Sequence, residues 1–536
     1  MKKAYIPIIF TGILLLVLLF HINYLRFVCD DAFISFRYAK NFLDGYGLVY
    51  NIGERVEGYT NFLWTLLLGL FMRLRLEAVV VSQVLGILFS LGTVVLLLRL
   101  NRRVYPAENL FNYLAPVFLV SCGAYAAWST GGLETSFYTF LVFLGSFFFI
   151  SGMDEPKHFV FSGLTFALVC LTRLDGLILA GITFVFLFSL SVVGKKIKPG
   201  SLWLWSLCFL VPFLVYFAWR WSYYGRFLPN TYYIKLGHGP LYRQGFLYLF
   251  DFFNRFWIWL TVIPLSFLGE SIRSNPNLKP IVVYFACLTS AFCFYVVYAG
   301  GDFMDMFRFL VPVLPFFFFL VQEGFRGIYY SGKALAKKKR RNYLVIAEIF
   351  LIGFSILVLA FPSRESNKAW SRRGIDSIGL LRQSVDLWSK VGLTLKAAAE
   401  PGDTMATTAA GAIPYYSELY TIDQLGLVLL DQSQLRVQKS PRPGHYKEVT
   451  KEFLLSRKPT YIIGHPTMFT EEEVARGVLV ARAEEIFLSK GYEAKLLTVK
   501  MSENESKYLY CLSLKETSQE TTGRQSSATE EQKSNQ

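Results

Sequence analysis

Long apolar runs alternate with short polar connections over the first 361 residues of the chain. A run of about 20 apolar residues can cross a hydrocarbon core of roughly 30 Å as a helix. The pattern therefore predicts a mainly α, polytopic membrane domain over residues 1–361. About eleven spans are predicted, over 6–20, 79–98, 110–127, 134–151, 158–172, 177–194, 201–220, 245–268, 280–299, 307–321 and 342–361.

The apolar run from Phe62 to Met72 is too short to cross a membrane easily, and Arg73 and Arg75 follow it. We predict an interfacial or re-entrant segment here. If this segment does not cross and the N-terminus lies inside, the Lys- and Arg-rich connections fall on the cytoplasmic side, as the positive-inside rule requires. We therefore predict a multi-pass protein of the bacterial inner membrane whose C-terminal part lies outside.

The pattern changes after about residue 361. One amphipathic helical stretch is followed by short alternating segments that are typical of strands. We predict a soluble extracytoplasmic α/β domain over residues 362–515, in which lone polar residues such as His465 and Asp423 are more often structural than ligand-binding. Ser, Thr, Glu and Gln dominate residues 516–536, which predicts a disordered tail.

Composition supports the membrane class. Hydrophobic residues make up 53% of the chain and the formal net charge is +15, with a mean hydropathy of +0.39. The basic residues cluster at the ends of apolar runs, where they set topology, so nucleic acid is not a predicted partner. The seven cysteines contain no C-x-x-C pair, and no disulfide framework or zinc site follows.

The loop over residues 28–64 is the most unusual segment. It opens with the adjacent carboxylates Asp30 and Asp31 close to a membrane exit, where an ionised Asp inside hydrocarbon costs on the order of 3 kcal/mol. Aromatic residues at helical spacing and a glycine-rich stretch follow, which predicts a short surface helix and a structured loop. The pair is either a boundary marker or a catalytic centre, and the second interpretation is favoured.

Two carboxylates and several arginines on one membrane face suit a reaction between a lipid-borne phosphate and a hydroxyl acceptor. A carboxylate can accept the proton of the hydroxyl, and guanidinium groups bind phosphate oxygens. We expect Asp30 to be the base and Asp31 to orient Arg37 or a cation. The predicted phosphate-binding residues are Arg37, Arg226, Lys235 and Arg308, and the predicted substrate-binding residues are Glu57, Tyr59, Asn61, Glu134, Asp175, Asn230 and Asp302.

The sequence gives little support for a nucleotide cofactor. No ATP- or dinucleotide-binding motif is found. An acidic pair beside a phosphate can hold Mg²⁺ or Mn²⁺, so the sequence leaves a divalent cation open.

The stretch DDAFISFRYAKNFLDGYGLVYNIGERVEGYTNFLW resembles the first outer loop of the terminal β-(1→2)-arabinofuranosyltransferase family, within the C-type (GT-C) polyprenyl-phosphate-sugar glycosyltransferases. The segments GGLET, RLDG, YYGRFLPNTYY, GGDFMDMFRFLVPVLP and GAIPYYSELYTIDQLGL are also similar to its pattern. The resemblance implies an outward catalytic loop with Asp30 and Asp31 at its centre. It also implies a C-terminal soluble domain, a polyprenyl-phosphate sugar donor and a cell-envelope glycan acceptor, with arabinofuranose among the candidate sugars.

Two other classes stay open. A lipid-linked sugar flippase or transporter would also be polytopic, and a non-catalytic membrane scaffold linked to the cell envelope or a flagellar motor would need no active carboxylates. Charges that gather at one face, without an internal repeat, favour the enzyme over the transporter. Retention of both Asp30 and Asp31 in an intact loop favours it over the scaffold.

Overall fold

The structure is a computed structural model that divides into two compact units. The first comprises Met1–Val385 and Lys439–Tyr446, and the second Asp386–Gln438 and Lys447–Gln536. The boundary between the two units, at Val385 and Asp386, lies further along the chain than the predicted domain boundary at residues 361 and 362. The described residues are 2–105, 110–194, 197–235, 241–255, 262–268, 278–335, 338–437, 442, 444–476, 485–503 and 505–515; the predicted tail lies outside them.

Helices dominate the first unit, and this confirms the predicted polytopic class. Among the described residues, eight helices are long and apolar enough to cross a membrane: Pro7–Leu25, Ala78–Val104, Thr135–Gly152, Gly176–Val193, Pro199–Tyr224, Leu278–Ala299, Arg308–Tyr330 and Ile349–Ser366. Shorter apolar helices cover Phe62–Met72, Phe111–Ser121 and His158–Thr172. The first of these has the bounds predicted for the non-crossing segment.

Two of the predicted spans differ from the observed helices. The predicted span 110–127 is divided, because Cys122 takes an extended conformation between the helices Leu114–Ser121 and Gly123–Ala127. Of the predicted span 245–268, the structure describes the helices Tyr242–Arg255 and Leu265–Leu268, while residues 256–261 lie outside the described part.

The predicted helix after the acidic pair is present as Asp30–Leu43, but the protein buries most of it. Its residues from Ala32 to Ala39 are buried, whereas the sequence predicts a surface helix. The cause is a close approach by the GGLET segment: Gly132 has φ +84°, and a Cβ there would meet Ala32 and Val28. Only glycine fits this position readily, so the helix packs tightly against the segment.

The loop that follows the helix returns over it. Gly45 and Gly47 have positive φ values and turn the chain, and Asn41 donates to the carbonyl oxygens of Val49 and Tyr50 at 2.9 and 3.0 Å. The loop is therefore structured, as the glycine pattern predicts.

The second unit contains a five-stranded mixed sheet, as predicted for the C-terminal part. Its strands lie in the order Tyr420–Asp423, Thr404–Thr407, Tyr461–Phe469, Ser506–Leu514 and Tyr492–Lys500. The strand Thr404–Thr407 is parallel to both of its neighbours, and the remaining neighbours are antiparallel. The predicted strand after Thr407 is instead the helix Ala412–Ser417. The strands are β1 Ser371–Arg372, β2 Ile375–Asp376, β3 Thr404–Thr407, β4 Tyr420–Asp423, β5 Leu435–Val437, β6 Lys447–Val449, β7 Tyr461–Phe469, β8 Tyr492–Lys500 and β9 Ser506–Leu514, of which β1 and β2 belong to the first unit.

The bounds of the other described helices complete the list for the two units. They are Lys2–Leu25, Gly176–Phe188, Asn230–Lys235, Leu314–Leu335, Lys338–Ser366, Ile378–Ala398, Lys451–Arg457, Glu471–Ala475 and Glu485–Leu488.

Close helix packing in the membrane unit depends on glycine, which gives a first prediction. A Cβ at Gly163 would lie 2.5 Å from the Trp205 carbonyl oxygen, whereas a Cβ at Gly181 would meet nothing within 4 Å. Gly163→Ala should lower the unfolding midpoint in detergent, since overpacking costs about 1–3 kcal/mol. Gly181→Ala is the matched control. It should leave the unfolding midpoint unchanged or raise it, because alanine stabilises a helix relative to glycine. Equal midpoints in both variants would contradict this packing.

Candidate active site

Asp30 and Asp31 form the first turn of the helix Asp30–Leu43. Carboxylates are favoured there, because they lie beside the unpaired N–H groups and the positive end of the helix dipole. Burial raises the pKa of the neighbouring Cys29 thiol well above its ordinary value; Asp31 and Asp30 raise it further, and Arg308 lowers it. The acidic pair and Arg308 therefore lie within electrostatic reach of one buried thiol.

Arg308 is a buried cation that interacts electrostatically with Asp31. Its Nε donates to Asp302 Oδ2 at 2.6 Å, and its guanidinium lies over the rings of Trp128 and Phe309, at 5.4 and 5.2 Å from their centroids. Arg308 also interacts electrostatically with Glu134 and Asp31. One buried guanidinium thus interacts with carboxylates from three separate loops.

A second arginine extends this group. Arg173 donates to Glu134 Oε1 at 2.7 Å and to Asp175 Oδ2 at 2.6 Å, while Asn61 donates to the other oxygen of Glu134 at 2.8 Å. Tyr138 donates to Asp175 at 2.9 Å. We name the charged side chains of Asp31, Glu134, Arg173, Asp175, Asp302 and Arg308 the central cluster.

Glu57 belongs to a second group at the other end of the first loop. Its carboxylate pairs with Arg220 at 2.6 Å, and both side chains are buried. The backbone N–H of Asn230 donates to the Glu57 carbonyl at 3.0 Å, and Tyr224 donates to the hydroxyl of Tyr59 at 3.2 Å. We name these residues the loop-anchoring cluster, because they attach the first loop to the helix Pro199–Tyr224 and the segment after it.

The other predicted cations make separate contacts. Arg37 is buried, donates to the Tyr50 carbonyl at 2.8 Å and lies over the Tyr50 ring. These contacts hold the loop, and phosphate binding by Arg37 stays a prediction. Arg226 donates to the Asn230 side chain at 2.9 Å, and Lys235 lies near Gly444.

Two site residues escaped the sequence-based prediction. Arg173 lies in the TRLDG segment, where only Asp175 was selected, and Arg220 lies inside an apolar run. A charge within a predicted span is expensive unless it is paired, and this rule would have marked Arg220 as functional or structural. Its partner, Glu57, lies 163 residues away in the sequence, so the pairing itself could not be predicted.

A cavity of about 780 Å³ opens beside the loop that carries Asp302 and Arg308. Met304, Asp305 and Phe307 of this loop contribute to its wall. The loop is held by β2: the Asp376 N–H donates to the Phe303 carbonyl at 2.8 Å, and the Asp305 N–H donates to the Asp376 carbonyl at 3.0 Å. Arg442 forms an ion pair with the carboxylate of Asp376.

Among the described residues, no group of three or more His, Cys, Asp or Glu side chains has an arrangement that could hold a metal ion.

The fold and the position of this site define a GT-C-like polytopic membrane protein. ArnT from Cupriavidus metallidurans bound to undecaprenyl phosphate is similar in structure, with a TM-score of 0.58 at 12% identity over 94% of this chain and 97% of that one. The apo state of the same protein gives a TM-score of 0.55 at 13% identity, over 95% and 98% of the two chains. These likenesses establish the fold.

The sequence comparisons identify particular relatives. The chain is 28% identical over 282 residues to the terminal β-(1→2)-arabinofuranosyltransferase of Mycobacterium tuberculosis, a match that covers 48% of this chain and 43% of that protein. Residues 376–512 match a family model described as a domain of unknown function, DUF8728. The chain thus spans less than half the length of the curated relative that it matches.

The pKa of Glu57 gives a prediction for the loop-anchoring cluster. Burial raises this pKa from 4.5 to about 7, although Arg220 opposes the shift. Between these pH values the folded state binds more protons than the unfolded state, so stability should fall as the pH rises, by at most about 1.4 kcal/mol per pH unit. Glu57→Gln should flatten this slope, measured as the unfolding midpoint against pH.

The exposed Glu77→Gln is the matched control and should keep the wild-type slope. If Glu57→Gln also kept that slope, proton uptake by Glu57 would not be the cause.

Proposed function

We propose that this protein is an integral-membrane glycosyltransferase that transfers a sugar from a polyprenyl-phosphate donor to a hydroxyl of a cell-envelope glycan. One observation carries the proposal: Arg308 brings Asp31, Asp302 and Glu134 together beside a cavity with both charged and apolar walls. The structural likeness to a protein that binds undecaprenyl phosphate and the relation to an arabinofuranosyltransferase support the donor class. Arabinofuranose remains a candidate for the sugar.

The proposed reaction needs a base and a stabilised leaving group. The acceptor oxygen attacks the anomeric carbon and forms the new C–O bond, while the bond from that carbon to the phosphate oxygen breaks and its electron pair stays on the phosphate. Asp30 accepts the proton of the acceptor hydroxyl. In this proposal Asp31 orients Arg308, with which it interacts electrostatically, toward the donor phosphate, in place of the predicted Arg37.

The other polar residues of the two clusters shape the site in this proposal. Glu134, Asp175 and Asp302 are engaged by arginines, and Glu57, Tyr59, Asn61 and Asn230 hold the first loop in place. Substitution of any of these residues should displace the first loop, which carries Asp30 and Asp31. Arg226 and Lys235 stay predictions as phosphate ligands.

The proposed orientation follows from the distribution of basic residues. With the N-terminus inside, the positive-inside rule assigns the site to the outer face of the bacterial inner membrane. The polyprenyl-phosphate donor, the glycan acceptor and surrounding lipid are the proposed partners.

The acidic pair supplies the test of function. Asp30→Asn should reduce turnover about 10² to 10⁴-fold, since this is the typical contribution of a general base. The Asp31→Asn variant should also lose activity, because Asp31 would no longer orient Arg308 toward the donor phosphate. The assay is release of polyprenyl phosphate from a panel of polyprenyl-phosphate sugars by the purified full chain.

Asp44→Asn, which changes an exposed carboxylate after the same helix, is the matched control and should keep wild-type turnover. If Asp30→Asn and Asp31→Asn both retained more than about a tenth of wild-type turnover, the pair would mark a membrane boundary and the scaffold alternative would be favoured.

Membrane orientation can be tested by cysteine labelling. A membrane-impermeant maleimide added to intact cells should modify Glu54→Cys and the exposed Glu493→Cys, and should not modify Arg102→Cys until the cells are opened. The unchanged protein is the background control for the native cysteines. Labelling of Arg102→Cys alone from outside would reverse the proposed topology.

A further inference from the structure

One short segment from the C-terminal part of the chain belongs to the first unit. Residues Lys439–Tyr446 are part of that unit, although the residues on both sides of them, Gln438 and Lys447, belong to the second. The hairpin of β5 and β6 holds the two ends of the segment together, because Val437 lies opposite Lys447. We name its described residues the strap: Arg442, Gly444, His445 and Tyr446.

The strap contacts the loop that carries Asp302 and Arg308. The guanidinium of Arg442 lies over the ring of Phe303, 4.4 Å from its centroid. The ring of His445 meets the same ring edge-on, with the centroids 4.9 Å apart. Phe303 is buried and directly follows Asp302, the partner of Arg308. Arg442 and His445 therefore clamp the residue next to a member of the central cluster.

Asp376 connects the strap to the same loop by a second route. Its carboxylate forms an ion pair with Arg442, and the two side chains are only 10% and 30% exposed. Its backbone N–H donates to the Phe303 carbonyl at 2.8 Å, and its carbonyl accepts from the Asp305 N–H at 3.0 Å. A partly buried ion pair is screened less than an exposed one. Loss of Arg442 would therefore weaken the support of the loop.

The loop needs this support, because its backbone is strained next to Arg308. Met306 and Phe307 have φ values of +63° and +48°. Residues other than glycine rarely adopt this left-handed conformation, and it persists only where the surrounding structure imposes it. The two residues directly precede Arg308 in the chain. A loop released from the strap would relax at these positions and would displace the Arg308 guanidinium.

The far end of the strap is attached to the helix Tyr242–Arg255. The Tyr446 hydroxyl donates a hydrogen bond to the side-chain oxygen of Gln244 on this helix. Tyr248 of the same helix interacts electrostatically with Arg308. The strap thus joins two elements that both interact with the central cluster.

The sequence of the strap favours a fixed contact. Arg442 lies in the stretch SPRPGHY and precedes a proline, which disfavours the helical region for its backbone. A residue whose backbone is already restricted loses less conformational entropy when it docks. Arg442 is therefore suited to holding one position on the loop.

We propose that the strap is a positioning element of the active site, whose clamp on Phe303 fixes Arg308 for its action on the leaving phosphate. The assignment rests on the proposed function for the reaction itself. Asp376 and Arg442 both lie within residues 376–512, so the clamp gives a role to part of the segment that matches the domain of unknown function. The strap residues act through Arg308 and are positioning residues.

Steady-state kinetics of the purified full chain test the clamp. Arg442→Gln should lower kcat on the order of 10-fold or more, because a displacement of about 1 Å in an active site can cost about 10²-fold. The KM for the polyprenyl-phosphate sugar should change less than kcat, since the positioned cation acts in the transition state. Arg436→Gln, which changes an exposed arginine of β5, is the matched control and should keep the wild-type kcat.

A second variant tests the same contact without leaving a carboxylate unpaired. Phe303→Leu keeps an apolar side chain and removes the ring that the clamp holds. It should give the same pattern in kcat and KM, and it carries the test if Arg442→Gln fails to fold. All rates are measured below the unfolding midpoint of each variant.

A double-mutant cycle separates positioning from a general loss of stability. If the strap acts through Arg308, Arg442→Gln should cause little further loss of kcat in an Arg308→Lys background, because both changes remove one function. Arg442→Lys keeps a cation beside Phe303 and should recover part of the kcat that Arg442→Gln loses. Losses that multiply independently, a wild-type kcat in Arg442→Gln, or a raised KM alone would each overturn the proposal.

Hydrogen exchange distinguishes a failure of the clamp from a failure of the proposed function. The Asp305 N–H, which is bonded to Asp376, should exchange faster in Arg442→Gln than in the wild type. If the wild type transfers no sugar and exchange still rises in the variant, the proposed reaction is wrong and the clamp stands. If the wild type transfers sugar while Arg442→Gln keeps both its kcat and its slow exchange, the reaction stands and the clamp is wrong.

Discussion

The burial of the Arg308 guanidinium is the constraint on which the site depends. A buried charge is stable only where carboxylates and hydrogen bonds replace water. Asp302 pairs with Arg308 directly, and Glu134 and Asp31 lie within electrostatic reach. The three carboxylates come from separate loops, so the need to neutralise one cation brings these loops together. Glu134 in turn pairs with Arg173, which extends the same requirement to a fourth segment.

This arrangement bears on the choice between an enzyme and its alternatives. A scaffold has no need to hold an acidic pair beside a buried arginine and an open cavity. A transporter commonly carries its charges near the membrane midplane, between repeated halves, whereas the central cluster is built from loops at one end of the helices.

Local patterns predicted much of the architecture, and long-range pairing explains what they missed. Apolar runs predicted the helical membrane class, and the acidic pair with its helix predicted where the site begins. The burial of that helix depends on Gly132, which approaches it from a distant loop. The hydrogen bond from Arg37 to the Tyr50 carbonyl forms because the loop folds back over the helix, and the sequence pattern does not predict that path.

An electron cryo-microscopy structure of the full chain with undecaprenyl phosphate in lipid nanodiscs would test the central claim most directly. The account predicts phosphate density beside the loop that carries Arg308. Asp30 and Asp31 should face the phosphate oxygen that carries the sugar in the donor. Lipid density confined to the outer surface of the spans, or a phosphate at the opposite end of the helices, would contradict it.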